Sequence, residues 1–183
     1  MEQGKIIVTS ERFQLTILRL CHQILENHIH PEDLCIIGIQ ERGVFLAERL
    51  KDELCKMLEG QPFKYGMLDI TFYRDDFRRR DLPLKASATH IDFLVENKNV
   101  ILVDDVLYTG RTVHAAMAAI QDFGRPRKIE MLSMVDRRFN RHFPIKADYL
   151  GIAVDAVDEA YVKVNWKHKH GEDQVLLFSG KVD

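Results

Sequence analysis

The chain has few cysteines, no long apolar run and almost no net charge, and each scarcity removes a class of protein. Cys21, Cys35 and Cys55 are three in number, lack close spacing and lie within apolar patterns. They read as reduced core residues of an intracellular protein, not as a disulfide framework or a catalytic thiol. No apolar stretch approaches the roughly 20 residues of a spanning helix. The N-terminus also lacks a basic-then-apolar signal, so a cytoplasmic location without membrane contact is expected. A formal net charge of -2 and a pI near 6.4 give no overall attraction to nucleic acid or anionic membrane. Such binding would need a local patch. Gly124 to Lys146 is one candidate, with seven Lys or Arg against two acidic residues, and a solvated loop explains it equally well. Internal repeats and low-complexity segments are missing too.

What is present is alternation of strands and helices along 183 residues, a length that fits one domain, 1–183, with a full core. Thr9 and Ser10 can cap a helix starting near Glu11, with Phe13, Ile17, Leu20, Ile24 and Leu25 on its apolar face, ending before Pro31. Leu34 to Ile39 reads as a buried strand, Gln40 to Gly43 as a polar loop, and Val44 to Leu58 as a helix with Phe45, Leu46, Leu50, Leu54 and Leu58 inward. A long strand is expected around Phe63 to Tyr73. Residues 74–97 then mix charge and loop residues, and such length points to a mobile functional loop. Val100 to Val103 is a buried strand, Ala115 to Ile120 a helix, Lys128 to Val135 a further strand and Asp136 to Pro144 a basic loop. This pattern predicts an α/β fold with a parallel, doubly wound sheet. Ala160 to Trp166 and Gln174 to Ser179 flank a charged turn and predict a terminal antiparallel hairpin. His168 and His170 lie in that turn without a ligand set at a known metal spacing, so solvation is the expectation there.

The run Val100 to Val113 carries the chemistry: a buried strand, Asp104-Asp105, then Tyr108-Thr109-Gly110-Arg111-Thr112 at a helix start. Gly110 permits close backbone approach, two hydroxyls donate, and successive amides can surround a phosphate dianion. The two carboxylates would be repelled by a phosphate at contact distance. One sugar length away they could accept hydrogen bonds from two ribose hydroxyls or hold a hydrated Mg2+. The combination calls for a substrate bearing both a sugar diol and a phosphate, bound at the carboxyl edge of the sheet.

Two further loops open onto that edge. Gly38-Ile-Gln-Glu-Arg-Gly43 follows a buried strand, and Arg42 offers a charged fork for phosphate oxygens. Alone it would be an ordinary strand-to-helix turn; with the first loop it implies two phosphate sites flanking a ribose. In Thr71 to Asp81, Tyr73-Arg74-Asp75-Asp76 fits the site, whereas Arg78, Arg79 and Arg80 individually read as a solvated run.

These residues resemble the type I phosphoribosyltransferases, whose signature is an apolar strand, two acidic residues and Thr-Gly-x-Thr. Within them the chain is similar to the PyrR family, pyrimidine-operon attenuators that are also uracil phosphoribosyltransferases. The segments Asp69 to Asp76, Val100 to Val113, Gly124-Arg-Pro126, Val135-Asp-Arg137 and Pro144 to Tyr149 follow that family in order, over about Ser10 to Gly151. The resemblance implies a type I phosphoribosyltransferase fold, a central mainly parallel sheet with a small hood. It also implies reaction of uracil with phosphoribosyl pyrophosphate to give UMP and pyrophosphate, with Mg2+ as cofactor. By it Tyr108, Thr109, Gly110, Arg111 and Thr112 bind the phosphoribosyl group, and Asp104, Asp105 and Arg42 are catalytic, the two carboxylates also facing the metal. Gln40, Glu41, Arg42, Gly43 and Arg74 would receive pyrophosphate, and Val135, Asp136 and Arg137 the base, Val135 mainly through its backbone. A homodimer or higher homo-oligomer is implied, as is an mRNA leader as partner, contacted by Arg19 and His22.

Departures from the family pattern bear on the details. Purine enzymes of the hypoxanthine type often carry Asp before Thr-Gly, whereas Tyr108 stands here, which weighs against purine salvage. The RNA pattern Thr-Arg-x-x-His is met as Leu18-Arg19-Leu20-Cys21-His22, and Gly151-Ile-Ala-Val-Asp-Ala156 lacks a basic residue and a hydroxyl of the usual Gly-Lys-Asn-Ile-Pro-Thr. Two lost contacts of roughly 1 kcal/mol or more each would weaken RNA binding about tenfold or beyond. Glu41 occupies a place where relatives often have Thr, and Arg138-Phe-Asn-Arg-His142 makes the base-side loop one residue longer than usual. A non-catalytic nucleotide-sensing RNA-binding regulator and a purine phosphoribosyltransferase are the competing readings. Asp105→Asn is expected to lower turnover at least about tenfold with a modest loss of stability.

Overall fold

The computed structural model describes residues 4–74, 88–155 and 160–180. After strand β1, Lys5–Val8, helix α1 spans Ser10–Asn27, and the Thr9 side chain accepts from the Arg12 amide at its start. Strand β2, Leu34–Ile39, leads into helix α2, Arg42–Met57, and strand β3, Lys64–Leu68. Strand β4, Asn99–Leu107, leads into helix α3, Arg111–Ile120. Strands β5, Lys128–Arg137, and β6, Tyr149–Val154, follow. The five strands form one parallel sheet in the order β3-β2-β4-β5-β6.

Every residue of β2 is buried, because helices cover both faces of the sheet. Period-2 alternation sorts the core into two clusters. Ile36, Ile101 and Val103 pack with Phe13, Ile17, Leu20 and Ile24 of α1 and Leu46, Leu50 and Leu54 of α2. Ile37, Val100 and Leu102 face Val113, Ala116 and Ile120 of α3.

A second sheet is antiparallel, in the order β1-β8-β7, with β7 Tyr161–Asn165 and β8 Gln174–Phe178. The expected terminal hairpin is present and gains β1 as a third strand, a pairing between distant segments that local pattern does not announce. Trp166 docks this sheet: it is buried edge-on against Phe13 and Phe45, at 5.5 and 5.9 Å between ring centroids. An Arg49–Asp173 ion pair at 2.8 Å adds to the junction. His168 and His170 sit in the short helix α4, Lys167–His170, where His170 Nδ1 accepts from the Trp166 amide.

Several boundaries differ from the sequence reading. Strand β3 stops at Leu68, because the Asp69 carboxylate accepts from the Thr71 amide at 2.7 Å and folds Thr71–Tyr73 into a 3-10 turn. Helices α2 and α3 begin earlier than expected, at Arg42 and Arg111, and β6 was not anticipated. Strand β4 runs on through Leu107, so Asp104 and Asp105 lie within it. Of segment 74–97, residues 75–87, with Asp75, Asp76 and Arg78 to Arg80, are outside the described residues, as is Ala156. Further along the segment, His90 pairs with Met67 and Val95 is buried. No described helix is long and apolar enough to cross a membrane.

Candidate active site

The carboxyl edge of β2 and β4 gathers the first part of the site. Gly43 allows it: a Cβ there would stand 2.2 Å from the Val103 carbonyl oxygen and 3.0 Å from Asp104 Cα. Only a glycine lets the start of α2 rest directly on β4. This close approach brings Arg42 beside the acidic pair. The Tyr161 hydroxyl, then the charges of Asp105 and Asp104, raises the pKa of its guanidinium against the cost of burial. Glu41 is exposed at the helix start. The Gln40 side chain donates to the Ala88 carbonyl at 2.9 Å, and the Gln40–Glu41 peptide is cis.

Asp104 and Asp105 are both buried, and the Asp105 amide donates to Asp104 Oδ1 at 2.9 Å. Burial, then the Asp105 charge, holds the Asp104 carboxyl well above the usual carboxylate range, against the pull of the Asp105 amide and Arg42. Burial also raises Asp105, opposed by Arg42 and by the Val106 and Asp105 amides. Asp105 Oδ2 is buried with no hydrogen-bond partner among the described residues. An acceptor left unpaired at this depth is costly, and sugar hydroxyls or a hydrated cation would satisfy it. The all-oxygen pair suits Mg2+, which binds through one or two carboxylates and completes its shell with water and phosphate oxygens. No group of three His, Cys, Asp or Glu able to hold a metal occurs among the described residues.

The second part is the Tyr108–Thr112 turn. Gly110 has φ of 85°, a left-handed conformation that turns the chain from β4 into α3. Thr109 Oγ1 accepts from the Arg111 amide at 3.4 Å, and both Thr109 and Thr112 are half-buried. Opposite stands the end of β5. Val135 is fully buried, and its carbonyl accepts from the Ser133 hydroxyl at 2.8 Å. Asp136 and Arg137 are nearly buried, and the Arg137 guanidinium lies 4.0 Å from the centroid of the Tyr108 ring. The phosphate-type turn and the base-side residues are therefore in direct contact.

The loop after β5 covers the turn. The His142 and Phe143 amides donate to the Thr109 carbonyl at 2.9 and 3.3 Å, and Arg111 Nε donates to His142 Nδ1 at 3.2 Å. His114 stacks on Phe143 at 4.3 Å. Arg141 bridges the Tyr108 carbonyl and the Asp136 carboxylate. Arg141 and Tyr161 are site residues that no sequence motif marks. Arg141 sits in a loop whose charges look solvated, and Tyr161 reaches the site only through packing of the second sheet; the extra residue in Arg138 to His142 was the one available signal.

Of the remaining expected residues, Arg74 is half-buried after the 3-10 turn. Arg19 and His22 lie on α1, where Arg19 donates to the Leu150 and Gly151 carbonyls of β6 at 3.1 and 2.8 Å.

The fold and these loops define the class, a type I phosphoribosyltransferase. The model of the phosphoribosyl transferase domain matches residues 4–169. The bifunctional protein PyrR of Elusimicrobium minutum is 42% identical over 173 residues, spanning 94% of this chain and 96% of its own. That of Caldicellulosiruptor saccharolyticus is 40% identical over 177 residues, spanning 97% and 96%. The chain belongs to the PyrR family. Among solved structures, the hypoxanthine phosphoribosyltransferase of Trypanosoma cruzi has a TM-score of 0.71 over 97% of both chains. At 16% identity that likeness shows the fold alone.

Proposed function

We propose that the chain is a uracil phosphoribosyltransferase, converting uracil and phosphoribosyl pyrophosphate to UMP and pyrophosphate. The carrying observation is the buried Asp104–Asp105 pair, with an unpaired carboxylate oxygen, set between Arg42 and the Thr109–Thr112 turn. Such a site accepts a ribose through its hydroxyls, a 5'-phosphate through the turn amides and the departing pyrophosphate through Arg42. As the bond from C1' to pyrophosphate lengthens, the ribosyl centre gains positive character and the leaving group negative charge. The carboxylates favour the first and Arg42 the second, while Asp136 and Arg137 hold the base so that its nitrogen meets C1'. Mg2+ bound with the substrate would be held by Asp104 and Asp105 and would screen the pyrophosphate charge. Tyr108 supports a pyrimidine, because it puts an aromatic ring under Arg137 where purine enzymes often offer a carboxylate.

The test is incubation with Mg2+, phosphoribosyl pyrophosphate and each nucleobase, followed by detection of nucleotide and pyrophosphate. UMP from uracil is expected. A purine nucleotide instead would overturn the base assignment, and no product from any base would leave the non-catalytic regulator.

We infer a second role, UMP-responsive binding of a pyrimidine mRNA leader, by a cytoplasmic homo-oligomer. Supporting it, Arg19 and His22 are exposed one turn apart on α1, and the Arg19 bonds to Leu150 and Gly151 join that face to β6. Leu18 and Ile152 stand on the same two elements and supply no phosphate contact. The expected affinity is therefore modest and strongly salt-dependent; binding indifferent to salt or to UMP would refute this role.

A further inference from the structure

We propose that Arg141 is a positioning residue that locks the base-side loop to the phosphate turn and so sets the distance between the two ends of the bound nucleotide. This rests on the phosphoribosyltransferase reading above. One guanidinium reaches both sides: it donates to the carbonyl of Tyr108, immediately before Thr109-Gly110, and to the carboxylate of Asp136 on β5. The Asp136 side chain is 12% exposed and that of Arg141 22%, so the pair is mostly withdrawn from water. Other contacts join the turn to the end of β5 and the loop after it: the His142 and Phe143 amides to the Thr109 carbonyl, Arg111 Nε to His142 Nδ1, and the Arg137 guanidinium over the Tyr108 ring. The His114–Phe143 stack also joins the loop to α3.

A planar fork suits this position, because it can serve a carboxylate and a carbonyl from one fixed plane, whereas an ammonium serves one point. A nucleotide touches both loops at once through a ribose of fixed length, so a small change in loop separation misplaces the base nitrogen relative to C1'. Phosphoribosyl pyrophosphate engages the turn and the Arg42 loop but has no base, and it does not require that separation. Arg141 therefore acts on uracil and UMP more than on phosphoribosyl pyrophosphate, without touching any of them.

Arg141→Met keeps the aliphatic stem and removes the fork. The expected result is a rise of at least about tenfold in the uracil KM and the UMP Kd, with the phosphoribosyl pyrophosphate Kd changed less than about threefold. Arg141→Lys restores a charge beside Asp136 and recovers part of the loss. In an Asp136→Asn background, which removes the carboxylate to be oriented, the effect of Arg141→Met shrinks to a small factor. Hydrogen exchange reads the strap without any assay of activity: the His142 and Phe143 amides exchange at least about tenfold faster in Arg141→Met than in the parent. Equal losses for all three ligands, no ligand effect, or unchanged exchange at those amides would each overturn the proposal. A parent protein that makes no UMP would overturn the enzymatic reading instead, while the exchange measurement still judged the strap.

Discussion

Asp105→Asn separates the two costs that the acidic pair carries, one in binding and one in folding. For catalysis, the change replaces a charged acceptor at a position where Oδ2 has no partner among the described residues. Hydrogen bonds to charged groups contribute about 1.5–3 kcal/mol, so turnover should fall roughly ten- to a hundredfold. For folding, the sign is opposite. Burial raises the Asp105 pKa, so the folded state holds its proton to higher pH than the unfolded state does. Stability then declines as pH rises from about 4 through the folded value, by about 1.4 kcal/mol for each unit of displacement. Asparagine does not titrate in this range. The ligand-free variant should therefore melt above the parent at pH 8, and the difference should close as pH approaches 4.5. Asp104, which burial raises further still, keeps its own decline in both proteins, and the decline is lessened in the variant because the Asp105 charge is gone. Burial of this carboxylate, with Oδ2 unpartnered among the described residues, thus points to a gain in place of the modest loss of stability that the sequence alone suggests. Thermal unfolding between pH 4.5 and 8, with and without Mg2+ and phosphoribosyl pyrophosphate, checks both parts, and ligand should restore the order by stabilising the parent more. Unchanged turnover would remove Asp105 from the ribose and metal site. A variant less stable than the parent at pH 8 without ligand would refute the electrostatic argument.

Arg42→Ala should weaken phosphoribosyl pyrophosphate more than UMP, because UMP carries no pyrophosphate; titration calorimetry showing equal losses would remove Arg42 from that role. Gly43→Ala would drive a methyl group to 2.2 Å from the Val103 carbonyl oxygen, so α2 must lift from β4. Urea unfolding should show a loss of about 2 kcal/mol or more together with reduced activity, and an alanine variant as stable as the parent would contradict this packing. Tyr149→Phe removes a buried hydroxyl that accepts from Asn27 and lies 3.2 Å from His28 Nε2, at the other end of the sheet. It should cost about 1–2 kcal/mol in unfolding and leave turnover unchanged; a changed uracil KM would mean that this end of the sheet is coupled to the site.

Where a signal was local, the sequence carried it. Leu34 to Ile39 is legible as a buried strand because covering both faces demands an unbroken apolar run, and α1 is legible from its Thr9 cap and 3.6-residue stripe. Strand β4 is longer than its apolar run because Asp104 and Asp105 interrupt that run while backbone pairing to β5 continues past them to Leu107 and Asp136. Polar residues inside a strand break a hydrophobic pattern without breaking its ladder, and a functional site is where that conflict is expected. Strand β1 escapes because it is short and its partner β8 lies at the far end of the chain, and β6 because its four middle residues are only partly buried and form no unbroken apolar run with polar flanks.

The same division applies to the site. Val100 to Val113 is contiguous, so its phosphoribosyl chemistry is visible in one line of sequence, whereas the setting of the base-side loop depends on contacts made by Arg141, His142 and Phe143 with Tyr108, Thr109 and Arg111. Those contacts cross about thirty residues and engage backbone carbonyls, which leave no trace in residue type. Their consequence is that base selection and phosphate binding share one structural unit. Lengthening the loop by one residue therefore cannot alter the base pocket alone; it also shifts the amides that bond to Thr109. A variant with Asn140 deleted, restoring the usual loop length, should change the UMP Kd through both ends of the nucleotide and raise hydrogen exchange at the Thr109 turn. A deletion that altered base preference while exchange at the turn stayed fixed would show the two functions to be separable.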